Sequence, residues 1–155
     1  MLKPDSLRKT LTDAVPVLRT NPDMLRLYVD NGQIASTLAT SLSFEKRYTL
    51  NVVVTDFTGE LDLLLVPVLA WLREHQPDIM TTDEGRKKGF TWIADINNDS
   101  SVDISISLML TERTLVKQVD AALHIDNIPE PAPPEPVTRP MELWMRDELV
   151  SKWDE

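Results

Sequence analysis

Apolar residues recur along this chain first at helical spacing, then at the spacing of a strand. Leu7, Leu11, Ala14, Val15 and Leu18 lie on one helical stripe, which predicts an amphipathic first helix. Asp5 or Ser6 can cap its start. Pro16 should end or kink it, because proline brings no amide hydrogen to the preceding turn. Asn21-Pro22-Asp23 reads as a turn. Leu25, Leu27 and Val29 then alternate with Arg26 and Tyr28, predicting a short strand closed at Asn31-Gly32. Residues 33–42 carry no strong signal.

From Tyr48 the period of two is plain. Tyr48, Leu50, Val52 and Val54 fall on one face, and Thr49, Asn51, Val53 and Thr55 on the other, so a strand with one buried side is expected. Thr58-Gly59-Glu60 marks the start of a second helix, with Glu60 and Asp62 well placed against its N-terminal dipole. Leu61, Leu64, Leu65, Val68 and Leu72 form the expected inward stripe. Yet Leu63, Val66, Leu69, Ala70 and Trp71 make most of the remaining surface apolar too. A helix apolar nearly all round is buried on more than one side. A small sheet covers one side; the other lies under the first helix or in a contact between subunits. Pro67 inside this helix implies a bend, at a cost of about 3 kcal/mol unless the bend is used.

A charged loop around Asp83–Lys88 leads to a hairpin. Phe90, Trp92, Ala94 and Ile96 alternate on its first strand, and Val102, Ile104, Ile106, Leu108 and Leu110 on its second. Asn97-Asn98-Asp99-Ser100 supplies the turn. Ala121–Ile128 reads as a last strand. The order gives an α+β fold, a mixed or antiparallel sheet of about four to five strands packed by two helices.

Six of the eleven prolines lie between Pro129 and Pro140. Proline fixes φ and removes a backbone donor, so this stretch is neither helix nor sheet. It divides the chain into a core at 1–128, a Pro-rich linker at 129–140, able to span about 37 Å, and a docking segment at 141–155. That last segment holds Trp144 and Trp153, half of the four tryptophans. Met141, Trp144, Met145, Leu149 and Trp153 fit a helical stripe, while Leu143-Trp144-Met145 and Leu149-Val150-Ser151 around Arg146-Asp147 fit a hairpin. Rings of this size beyond an extended arm imply docking, on the chain's own core or on a neighbouring subunit. Leu63, Val66 and Trp71 on the second helix, with Leu143, Trp144, Leu149 and Trp153 in the tail, are the candidate interface residues.

Charge and composition narrow the chemistry. Net charge is −9, and both the core and the tail are acidic, which is the wrong footprint for specific nucleic-acid binding. The basic run Arg86-Lys87-Lys88 beside Gly85 and Gly89 is a solvated loop in its simplest reading. There is no cysteine, hence no disulfide framework and no thiolate metal site. No basic-then-apolar leader opens the sequence, and the apolar run Leu63–Leu72 is too short to cross a bilayer. Asp95-Ile96-Asn97-Asn98-Asp99 starts like a calcium loop, but Ser100 stands where glycine belongs and Ile106 where the bidentate glutamate belongs. His75 and His124 lie far apart in sequence and form no zinc pattern. No glycine-rich phosphate cradle is present. Pro131-x-x-Pro134 and Pro133-x-x-Pro136 have polyproline-ligand spacing but read more simply as a semi-rigid spacer. A metal-dependent hydrolase built on Asp56, Asp95 and Asp99 is the enzymatic alternative. A monomeric adaptor binding through its C-terminal segment is a third reading.

Several runs together suggest a family. They are Ser43-Phe44-Glu45-Lys46-Arg47-Tyr48-Thr49-Leu50-Asn51-Val52-Val53-Val54-Thr55-Asp56-Phe57, Val68-Leu69-Ala70-Trp71-Leu72-Arg73-Glu74-His75-Gln76-Pro77, Asp95-Ile96-Asn97-Asn98-Asp99 and Leu110-Thr111-Glu112-Arg113. With Leu2-Lys3-Pro4-Asp5-Ser6-Leu7 and Asn21-Pro22-Asp23-Met24-Leu25, the chain resembles the tail completion protein R family of temperate contractile-tailed phages. The resemblance implies a structural protein of the virion, assembled in the host cytoplasm, with no catalytic residues and no cofactor. It further implies a role like that of tail terminators, which cap the head-proximal end of the tail tube, stop its growth and offer a surface for head joining. The implied partners are further copies of the chain in a six-subunit ring, the tail tube and sheath proteins, and a head–tail connector or neck protein. Neither a membrane nor a specific nucleic acid is among them, although DNA would pass through the ring.

Overall fold

A computed structural model describes residues 1–36, 41–129 and 139–154. The first helical stripe forms α1 (Leu2–Ala14) and α2 (Pro16–Thr20). They are separated at Val15, whose backbone is extended, and Pro16 sits in the first turn of α2, where its missing amide costs nothing. A short 3-10 turn at Pro22–Met24 leads to β1 (Leu25–Ala35), and β2 (Phe44–Phe57) returns beside it. Then come α3 (Asp62–His75), the single turn α4 (Asp78–Thr81), β3 (Phe90–Ile96), β4 (Val102–Val119) and β5 (Ala122–Ile128). The tail folds as a hairpin of β6 (Met141–Met145) and β7 (Glu148–Trp153). Arg146 and Asp147 both take positive φ at its turn, the conformation that suits a two-residue hairpin loop.

The main sheet is antiparallel, in the order β1-β2-β4-β3, with β5 also on β4. β4 holds it together. It pairs with β2 from Val102 to Thr114 on one edge, and with β3 and then β5 in series along the other. The period of two then sorts the side chains. Leu50, Val52, Val54, Ile104, Ile106, Leu108 and Leu110 are almost fully buried beneath α1 and α3, and the intervening residues face away from the helices. Across that open face, Asn51 donates to Asp30 on β1 and accepts from Ser107 on β4, both at 2.9 Å.

Three strand boundaries differ from the expectation. β1 does not close at Asn31-Gly32. It shifts register there and pairs on to Ala35, with Asn31 absorbing the bulge at positive φ. β2 begins at Phe44, ahead of the expected Tyr48, and β4 runs past Leu110 to Val119. These extensions pair with each other or with β5, so the ladder holds sequence with little periodic signal. α3 begins at Asp62, two residues after Glu60. Its buried side is Leu64, Pro67, Val68, Trp71 and Leu72. Trp71 has moved inward, while Leu61 and Leu65 sit at the margin. Part of the Pro-rich linker and both polyproline-type spacings lie outside the described residues.

The end of the sheet beneath the start of α1 carries a buried polar node. Tyr48 donates its hydroxyl to Glu112 at 2.7 Å, and the other Glu112 oxygen accepts the Leu2 and Lys3 amides at 2.7 and 3.3 Å. Those amides belong to the first turn of α1 and have no intrahelical acceptor. The Lys3 ammonium donates to Gln76 and to the Thr111 carbonyl, both at 2.6 Å. Burial acts on Glu112 most strongly and would raise its pKa. The hydrogen bonds from Tyr48, Leu2 and Lys3, with the nearby Lys46 charge, outweigh it and hold the carboxyl below its ordinary value. Burial first, then donation to Glu112, push the Tyr48 phenol well above its usual range.

A group whose pKa is lowered by folding stabilises the fold above its unfolded value, about 4.3 for glutamate, and loses that contribution as pH falls through the folded value. Glu112→Gln should therefore cost about 1–3 kcal/mol at pH 7, because an amide cannot accept at both ends. The gap from wild type should narrow as pH falls through the acid range. Urea midpoints for both proteins at pH 7 and at pH 3 check this.

Candidate interaction surfaces

The C-terminal hairpin docks on the helices without hydrogen-bonding to the main sheet. β7 lies against α1, and β6 against α3. Leu143 and Trp153 point into the core and are buried there. Ser6, Thr10, Trp71, His75 and Trp153 line a small cavity where the hairpin meets the two helices. Trp71 stacks on His75 with ring centroids 4.5 Å apart and donates its indole N–H to Ser6 Oγ at 3.0 Å. His75 donates from Nδ1 to the Trp71 carbonyl at 2.9 Å. Arg139 grips both oxygens of Glu74, at 2.6 and 2.7 Å. Both bonds come from the single nitrogen Nη2. At the hairpin turn, Arg146 meets Glu60 at 3.0 Å.

This docking answers what covers the second side of α3. α1 and the chain's own hairpin do, so Trp71, Leu143 and Trp153 are packed within one protomer. The other candidate interface residues keep surface. Leu63 is half-buried, Val66 is exposed, Trp144 is 56% exposed and Leu149 is 50% exposed. Because β-strand side chains alternate, Leu143 and Trp144 face opposite ways. One face of the hairpin anchors it, and the other is presented.

The three aspartates of the hydrolase alternative sit at a register shift in β2, on β3 and in the turn before β4. Asp56 takes positive φ at a register shift in β2, and its amide donates to Asp103 at 2.8 Å. Asp99 accepts from the Ser101 hydroxyl and amide at 2.6 and 3.0 Å. These two bonds, the hydroxyl first, hold its pKa below the ordinary value. Asp95 stands on β3 directly across from Asp103 on β4. Among the described residues, no three acids or histidines are grouped to hold a metal ion.

Residues 1–131 match the family model described as P2 phage tail completion protein R. The chain belongs to this family. Over all 155 residues it is also 82% identical to the tail completion protein R of Escherichia phage P2, covering 100% of both chains. No solved structure matches it. The family match ends inside the Pro-rich stretch, whereas the likeness to the phage P2 protein continues through the hairpin. The tail completion protein R family is a family of structural phage tail proteins, and nothing in either comparison supports the hydrolase alternative.

Trp153 is the hairpin's principal apolar anchor. Trp153→Ala should cost about 3–5 kcal/mol of side-chain burial and release the hairpin. Trypsin should then cut at Arg146 and Lys152 while residues 1–128 stay protected. Trp144→Ala should leave the digestion pattern unchanged. Timed digestion followed by mass spectrometry reads both.

Proposed function

We propose that this protein completes the tail as a ring at its head-proximal end, capping the tube, stopping its growth and offering the surface to which the head is joined. The reading gives the chain a structural role rather than a catalytic one. Full-length identity of 82% to the phage P2 tail completion protein carries it. The exposed apolar surface supports it. Val66 and Leu69 on α3, Trp144 and Leu149 on the hairpin, and Trp92, Ile93 and Ile96 on β3 are all open to solvent. Apolar positions spread over several elements suit a subunit that meets copies of itself and other tail components at once. The chain's net acidic charge suits a lumen through which DNA passes without sticking. Six copies would match a sixfold tube, with the tube and sheath proteins on one side and a connector or neck protein on the other.

Tails assembled without this protein should vary in length and fail to join heads. Supplying the wild-type chain should restore both, as seen by electron microscopy of purified tails. Tails of normal length that join heads in its absence would overturn the reading. Val66→Asp and Trp144→Asp should leave the melting temperature within about 2–3 °C of wild type, since both positions are exposed, yet reduce the yield of completed tails.

A further inference from the structure

Among the described residues three strands of the main sheet have an unpaired edge: β1 at one end of its order, and β3 and β5 in series along the other. Natural sheets blunt such edges with lysine, proline or bulges. β3 reads FTWIADI, with neither lysine nor proline, and Ile93 and Ile96 are 71% and 81% exposed. β1 is also free of both residues. Its bulge after Asp30 leaves a regular stretch, Leu25–Asp30, close in length to β3.

We propose that copies of this chain join edge to edge, the β1 edge of one copy forming an antiparallel ladder on the β3 edge of the next. The inference rests on the homo-oligomer reading above and specifies its contact. Strand direction favours this arrangement. Each neighbour in the order β1-β2-β4-β3 is antiparallel, so β1 and β3 run in opposite directions. A rotation about an axis along the strands preserves direction. It therefore brings the next copy's β1 antiparallel to β3. Two different edges meet, and repetition of such a contact gives a ring where the rotation closes and an open helix where it does not.

Charge then selects the register. Asp95 lies directly across from Asp103, and like charges opposite one another destabilise a ladder. On the same open face at the far edge, Arg26 sits 5.4 Å over the Tyr28 ring. It forms no ion pair among the described residues. Placing Arg26 opposite Asp95 supplies the missing cation. That single choice puts Tyr28 against Ile93 on the open face. On the helix-covered face it puts Leu25 against Ile96 and Val29 against Trp92. Every one of these pairs is apolar, and each side chain remains on the face its own sheet assigns to it.

The absence of cysteine allows a direct test. Tyr28→Cys and Ile93→Cys, both exposed positions, are placed together in one chain. Within a protomer they are separated by two intervening strands, about 14 Å at strand spacing, too far for a disulfide. Mild oxidation of the purified protein and of assembled tails should give a ladder of crosslinked multimers on a non-reducing gel, and neither single variant should give one. Arg26→Asp or Asp95→Arg alone should raise the concentration needed for assembly roughly tenfold through like-charge contact. The two together should restore it, with melting curves confirming that each variant folds. Crosslinking by Ile93→Cys alone would overturn the proposal in favour of a two-fold contact. Multimers without crosslinks, or without recovery in the charge-swapped pair, would overturn the edge pairing and leave the homo-oligomer reading in place. A chain monomeric both in solution and in tails would remove both.

Discussion

The ladder between β2 and β4 is the interaction on which the rest depends. It carries the register from Phe44 and Thr114 at one end to Phe57 and Val102 at the other. A slip of one residue would turn Leu50, Val52 and Val54 outward while Leu108, Ile106 and Ile104 on β4 stayed inward. The helices would then lose the apolar surface that holds them. The same ladder positions β1, β3 and β5, because each pairs with β2 or β4. Core, open face and edges are thus consequences of one alignment.

Much of this alignment was legible in the sequence, because a half-buried strand has a period that survives without context. Tyr48 to Val54 and Val102 to Leu110 read as strands on alternation alone, and their buried faces are those expected. The break at Pro16 followed from the missing amide. The hairpin at the end of the chain was one of two open readings, since its apolar spacing fits both periods. Arg146 and Asp147 decide it by adopting positive φ without a glycine, which composition does not announce.

Other features were hidden for definite physical reasons. Trp71 was expected off the inward stripe, on a second side covered by the first helix or by a neighbouring subunit, because periodicity describes one buried stripe. α3 has two coverings, and the second comes from residues 141–153. The Glu112 node could not be read at all. Lys3, Tyr48, Gln76 and Glu112 are far apart in sequence, and each type is ordinarily satisfied by water. Only the fold shows that the first amides of α1 meet a carboxylate at the end of the sheet. A buried carboxylate left without those donors would be costly, so the node ties the position of α1 to the register of β4.

Burial and exposure fall on neighbouring residues in this protein, on opposite directions of the same strands. Along β4, the residues buried beneath the helices alternate with Ser105, Ser107 and Met109 on the open face. On the hairpin, Leu143 anchors while Trp144 is presented. On β1 and β3, by contrast, the unpaired backbone edge is common to both faces. A substitution at a buried alternate therefore confounds folding with contact, whereas one at an outward alternate near an edge separates them. A fold that commits one side of its sheet to a core leaves the other side and the outer strands β1, β3 and β5 open among the described residues. That division is what a building block needs, and it demands no cleft.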